Sequence, residues 1–209
     1  MVPEKKKRIT KVLSLVVIIA GVSVIIGWIF DIGVIKSVSP TWVSMKFDTA
    51  IAFVLSGITL YFIVRATEGE FDKAQVVLSV TSLIIFLLMG ILFFSALLGI
   101  RTGAEDLFIK ERMGAEKTAI PGRPSIPTMI NFILIAVAGV FAMFSSAKLR
   151  SQLRTIGLIV GAIGALAIVG YIIDAPFMYY YIEGINSAIA FHTAGLFVLL
   201  GIGLLCLLD

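Results

Sequence analysis

Six apolar runs, each separated from the next by a short charged or turn-forming stretch, decide what this chain can become. They cover residues 12–34, 47–65, 74–100, 127–147, 154–174 and 187–208. A helix needs about 20 predominantly apolar residues to cross a hydrocarbon core of about 30 Å, and each run is at or near that length. The runs are apolar on every side, whereas the strands of a membrane barrel alternate apolar and polar residues. Composition points the same way: 59% of the residues are hydrophobic and 14% charged, against about 45–50% and about 25% in a soluble domain. The expectation is an all-α integral membrane protein, a single membrane domain over residues 1–209 that crosses the bilayer six times.

Charge sets the orientation. Lys5, Lys6, Lys7, Arg8 and Lys11 precede the first run, and Lys148, Arg150 and Arg154 flank a tight connection between the fourth and fifth. Basic residues in short segments next to span ends stay on the cytoplasmic side. Both termini are therefore expected in the cytoplasm of a multi-pass protein of the cell membrane. The longest connection, residues 101–127, then lies outside, with its stretch from Glu105 to Glu116 either an amphipathic surface helix or a solvated mixed-charge loop. No small-residue cleavage site follows the first run, so it reads as a retained helix rather than a signal peptide. The single cysteine, Cys206, has no intramolecular disulfide partner and reads as an apolar side chain.

Repetition organises the runs. Thr49, Phe53 and Gly57 in the second match Thr128, Phe132 and Ala136 in the fourth, and Thr193, Phe197 and Gly201 in the sixth. Residues four apart share a helix face. Each triplet is thus a stripe on which a small residue admits a neighbouring backbone and a threonine hydroxyl can bond across or back to its own turn. The odd-numbered runs echo one another too: Gly27 to Asp31 resembles Gly170 to Asp174, and Gly157 and Gly161 add a close-packing spacing. Three repeated helical hairpins packed side by side is the expected architecture.

The segments Trp42-Val-Ser-Met-Lys-Phe-Asp-Thr-Ala-Ile-Ala-Phe-Val-Leu-Ser-Gly, Gly99-Ile-Arg-Thr-Gly-Ala-Glu-Asp-Leu-Phe and Phe191-His-Thr-Ala-Gly-Leu-Phe-Val-Leu-Leu-Gly carry a family likeness. With them the chain resembles the six-helix membrane input region that precedes PAS, histidine-kinase or GGDEF modules in prokaryotic sensor proteins. The middle repeat departs from the pattern, with Met129, Ile130 and Asn131 beside its threonine. The resemblance implies a sensory input module of a two-component-type receptor. It would act as a homodimer and pass a stimulus through the sixth helix to a cytoplasmic signalling domain, in cis or in trans. Any kinase activity would belong to that other domain.

Ionisable groups are costly inside a bilayer, and here they gather at the outer ends of the runs as Asp31, Asp48, Asp174 and His192. Asp48 and His192 stand just before Thr49 and Thr193. They read either as an outward-facing polar pocket able to hold a ligand, or as a helix N-cap and a hydrogen-bonded contact histidine. No cofactor is expected, because one histidine without further ligands is a poor site for a metal or haem. Asp31 and Asp174 are candidates for the same pocket or solvated helix ends. Tyr180, within the aromatic run from Phe177 to Ile182, belongs to an interfacial belt with Trp28 and Trp42 or to a lid over a ligand. Hydrolase, metalloprotease and phosphate-loop signatures are absent, so no enzyme is expected. The inner basic residues suit anionic lipid headgroups rather than nucleic acid. A small repeat-built transporter or channel is the alternative, though such proteins bring polar groups or broken helices to mid-membrane.

Overall fold

A computed structural model describes residues 3–144 and 148–207. The far ends of the fourth and sixth runs, at 147 and 208, lie outside them. The regular structure of the described residues is helical: α1 Glu4–Ile29, a single turn α2 Gly33–Lys36, α3 Phe47–Thr67, α4 Phe71–Leu97, α5 Ile126–Ala142, α6 Leu149–Ile172 and α7 Phe191–Leu205. Short 3-10 turns occupy Ala104–Asp106 and Pro176–Tyr179. Helices α1, α3, α4 and α6 are long and apolar enough to cross a membrane, whereas α5 has 17 residues and α7 has 15.

Helices α3, α5 and α7 form an inner set and α1, α4 and α6 an outer one. Each outer helix packs against two inner ones: α1 on α3 and α7, α4 on α5 and α3, α6 on α7 and α5. Small residues make the tightest of these approaches possible. A Cβ on Gly57 would sit 2.8 Å from the Ser14 carbonyl oxygen, and one on Gly201 would sit 2.7 Å from that of Gly157. Thr59 on α3 bonds Thr81 on α4 at 2.8 Å, and the Thr10 hydroxyl donates to the Gly203 carbonyl at 3.1 Å, fastening α1 to α7.

The outward faces of the outer helices carry bare aliphatic and aromatic side chains. Leu15 and Ile19 on α1, Leu83, Phe86 and Leu87 on α4, and Leu158 on α6 are all between 49% and 64% exposed. Water does not tolerate so large an apolar surface; lipid does. The chain is an all-helical membrane protein.

At one end of the bundle, the tail end, the helices are joined by the short turn Glu68 to Glu70, tied to α1 by a Lys11–Glu68 ion pair at 2.7 Å. At the other, the cap end, lie the three long connections. All three outer helices stop there in the same way. Asp31, Gly99 and Asp174 take left-handed backbone angles (φ 53°, 66° and 52°). The next residue's N–H then bonds back to the helix, Ile32 to Gly27, Ile100 to Ser95 and Ala175 to Gly170, at 2.7–3.1 Å. This is the Schellman pattern of helix termination.

Helix starts differ from the sequence reading by three residues or more in α1, α4, α6 and α7, with α4 beginning at Phe71 and α6 at Leu149, ahead of their apolar runs. The sequence places the start of the last helix at 187, but α7 begins at Phe191, because the Ala188 N–H bonds the Lys117 carbonyl and the Ile189 N–H bonds the Tyr179 carbonyl. Those bonds hold the segment extended beneath the cap. Helix α1 instead starts at Glu4, eight residues before its apolar run, and ends at Ile29, with α2 a separate turn.

Candidate functional site

The cap is where the polar chemistry collects, and two buried ion pairs hold it together. Lys46, the N-cap of α3, donates to Glu111 and to the Thr118 hydroxyl, both at 2.7 Å. Glu111 also accepts from Ser44 and, at 2.7 Å, from the Gly122 N–H. Burial pulls the Lys46 ammonium below its ordinary pKa, with Glu111 opposing that shift. In the second pair, Arg123 bonds Glu105, the Ser95 hydroxyl and the Ile100 carbonyl, while Glu105 also accepts from Ser95 at 2.7 Å and from the Gly103 N–H at 3.1 Å. Burial raises the Glu105 pKa, but hydrogen bonds from Arg123 and Ser95 outweigh it and bring the group down to about 2. Gly122 joins the two pairs. Its φ is 78°, and a Cβ there would lie 2.1 Å from the Glu105 carbonyl oxygen, so no other residue fits.

The connection from Glu105 to Glu116 is therefore not an amphipathic helix but an irregular loop, exposed at Lys110, Arg112 and Glu116 and anchored by two buried carboxylates. Beyond its single 3-10 turn it runs through turns, with Glu105 and Glu111 only 2% and 5% exposed. Sequence reasoning missed these residues because charges in a connection are usually solvated, and nothing in their spacing marks a partner.

The three stripe threonines all occupy the third position of their helices, after N-caps Lys46, Ser125 and Ala190. All are buried, and together they line a cavity of about 10 Å³ with Ser125, Ala188 and Ala190. That is room for about one water molecule, and the Thr193 hydroxyl has no protein partner for it to compete with. One turn further in, Phe53, Phe132 and Phe197 meet with ring centroids 4.8–5.0 Å apart. None of the three has any exposed surface. One further turn along each helix lie Gly57, Ala136 and Gly201, where neighbours approach closely or pack flush.

Asp48 and His192 occupy the second position of α3 and of α7. Both ring nitrogens of His192 lack a hydrogen-bond partner, as does one Asp48 carboxylate oxygen, so the two do not pair. Asp48 lines a different small cavity, with Trp28, Lys46, Glu105 and Glu111, and the N-cap of its helix is Lys46. Among the described residues no three His, Cys, Asp or Glu side chains converge to hold a metal ion, so a metal at His192 would find no full set of protein ligands.

Asp31 and Asp174 are the left-handed terminators of α1 and α6. Asp31 pairs with Lys36 and, at 3.5 Å, with Arg112, whereas the Asp174 side chain is exposed. An L-residue in this conformation costs about 1 kcal/mol relative to glycine. Replacing Asp174 by glycine should raise the thermal unfolding midpoint in detergent; a fall would show that the carboxylate makes a contact worth more than the strain. Tyr180 also has positive φ (63°) and accepts through its carbonyl from Asn186 at 2.7 Å. Its neighbour Tyr179 is fully buried, stacks on Tyr171 at 4.3 Å and accepts from Lys117. Part of the aromatic run thus packs inside the cap, while Phe177 stays 75% exposed.

A cleft of about 570 Å³ lies between the connection that follows α1 and the cap loop, lined by both tryptophans, Lys36, Lys110 and Arg112. Compared with known proteins, the chain matches no family model, no curated protein and no solved structure.

Proposed function

We propose that the chain is the sensory input region of a membrane signalling receptor, six helices arranged as three repeated hairpins. It takes its cue at the cap, which lies outside the cell, with both termini in the cytoplasm. The observation that carries this reading is the closed junction of Phe53, Phe132 and Phe197. One ring comes from each hairpin, directly beneath the cap, so a shift of any hairpin at the cap must be accommodated by α7. Packed cores are bistable rather than continuously deformable. A stimulus that favours one packing would therefore reposition the cytoplasmic end of α7, and through it an output domain in a homodimer. Helices α5 and α7 are about 23–26 Å long at 1.5 Å per residue. As inner helices largely screened from lipid, they need not match the full bilayer thickness that the outer three meet. The basic tail end supports the orientation, and the resemblance to sensor input regions supports the class.

A chimera joining the chain to a dimeric histidine kinase after Asp209 tests this. Phe132→Ala should change autophosphorylation at least about fivefold, the lower end of allosteric coupling, while Leu87→Ala on the lipid face leaves it unchanged. Equal outputs from parent, Phe132→Ala and Leu87→Ala would sink the reading.

One observation favours a transporter or channel as second reading. Asn131 on α5 is fully buried with both amide atoms unpartnered, and the Ser56 and Ser82 hydroxyls are unpartnered too. The aromatic junction blocks the axis between the inner helices, which ranks this reading lower. Saturable flux into liposomes, lost in Asn131→Leu or in Asp48→Asn, would reverse the order.

A further inference from the structure

From the cleft beside α1 we infer a binding site for an amphiphilic anion: a carboxylate or phosphate head on an apolar or aromatic body. This goes beyond the sensory reading and holds whether or not occupancy is signalled. Size is the first consideration. At about 570 Å³ the cleft falls within the range of roughly 300–1,000 Å³ typical of small-molecule sites.

Its walls are apolar and aromatic where a ligand body would lie. Trp28 and Trp42 face the opening together with Val34, Val38 and Pro40. The Trp28 indole N–H is already committed to the Met45 carbonyl at 2.8 Å, which fixes the ring in the wall of the cleft. Trp42 is braced from behind by Tyr171 and Phe191, with ring centroids 4.8 and 5.1 Å away.

Charge then selects the head. The lining contains Lys36, Lys110 and Arg112 against Asp31, Glu111 and Glu116. Glu111 is neutralised from within the cap by Lys46, which is not part of the lining. Three cations are left facing two carboxylates. Lys110 has no ion-pair partner among the described residues, and Arg112 reaches Asp31 only at 3.5 Å with its side chain 91% exposed. Lys36 sits 4.8 Å from the centre of the Trp28 ring, placing a cation beside the aromatic wall. An incoming anion would take Lys110 and the loosely held Arg112 while its body lies on the indoles. A cationic ligand would have to displace Lys36 from Trp28.

The test uses the full chain in nanodiscs of phosphatidylcholine. The chain has two tryptophans, and both line the cleft; Trp28 also borders the small Asp48 cavity, so the charge reversals at Lys110 and Arg112 are what assign a change in emission to the cleft. Phenylacetate should give a saturable change in emission, with phenethyl alcohol and phenethylamine at least about tenfold weaker, the value of one charge-assisted hydrogen bond. Lys110→Glu and Arg112→Glu should each weaken phenylacetate by about the same factor. Both side chains are exposed, and an unchanged thermal unfolding midpoint would show that the fold is intact. Equal responses to the three probes, a preference for the amine, or indifference to both charge reversals would overturn the inference. Repeating the titration with phosphatidylglycerol in the disc separates the sources. Competition with phenylacetate identifies a lipid headgroup as occupant, undiminished phenylacetate binding identifies a free amphiphile, and either result upholds the anion site.

Discussion

Cutting Phe132 back to alanine will destabilise the bundle by about 3 kcal/mol, the low end of the range for truncating a buried phenylalanine in a soluble core. The low end applies because the detergent around an unfolded membrane chain is as apolar as the core, so what is lost is packing rather than transfer from water. That packing is substantial. Phe132 is fully buried and meets Phe53 and Phe197 at 4.8 and 5.0 Å, and each aromatic pair adds about 0.5–1.5 kcal/mol. Lipid cannot refill the void, because α1, α4 and α6 screen the junction. Unfolding by sodium dodecyl sulfate titration, followed by circular dichroism, measures the loss. Phe86→Ala, on the lipid face of α4 and 51% exposed, should change stability by less than about 0.5 kcal/mol. Phe53→Ala and Phe132→Ala combined should cost less than the sum of the two, since the second truncation removes a contact already gone. Additive effects, or a Phe132→Ala cost no larger than that of Phe86→Ala, would mean the three rings do not act as one junction.

The stripes behind that junction were legible in the sequence because helices impose a period: Thr49, Phe53 and Gly57 share one face by spacing alone, as do their counterparts. Their meeting was not, because spacing along one helix does not say which face another helix turns towards it. Helix ends were harder to read. The echo of Gly27–Asp31 in Gly170–Asp174 was visible, but its meaning lay in backbone angles: the glycines supply the carbonyls and the aspartates the left-handed turn. Its third member, Ser95 to Gly99, shares the geometry with little of the sequence. The start of α7 was misplaced because Ser187 to Ala190 is compatible with a helix and is held extended only by bonds to Lys117 and Tyr179, distant in the chain. The cap was hardest. Glu105 and Arg123 stand in connections without periodicity, and no local rule says that two charges 18 residues apart will be buried against each other.

The consequence of that burial is the second large effect. Arg123→Leu should destabilise the protein by about 3–5 kcal/mol at neutral pH, because it leaves the Glu105 carboxylate buried without its cation. Removing both charges in Arg123→Leu with Glu105→Leu should recover most of the loss, since an apolar pair of similar volume needs no desolvation of ions. The pH dependence identifies the cause. Glu105 titrates at about 2 in the folded protein against an ordinary value of 4.5, so its contribution is fully present above 4.5 and is lost as the pH falls towards 2. The gap in unfolding midpoint between the parent and Glu105→Gln should therefore hold steady above pH 4.5 and close progressively below it. Arg123→Leu should behave in the same sense, because acid neutralises the stranded carboxylate and relieves the penalty. Thermal unfolding in detergent from pH 7 down to pH 3 reads both trends. A gap that stays constant across that interval would mean that the cap is held by the shape of its loops and not by the Arg123–Glu105 pair.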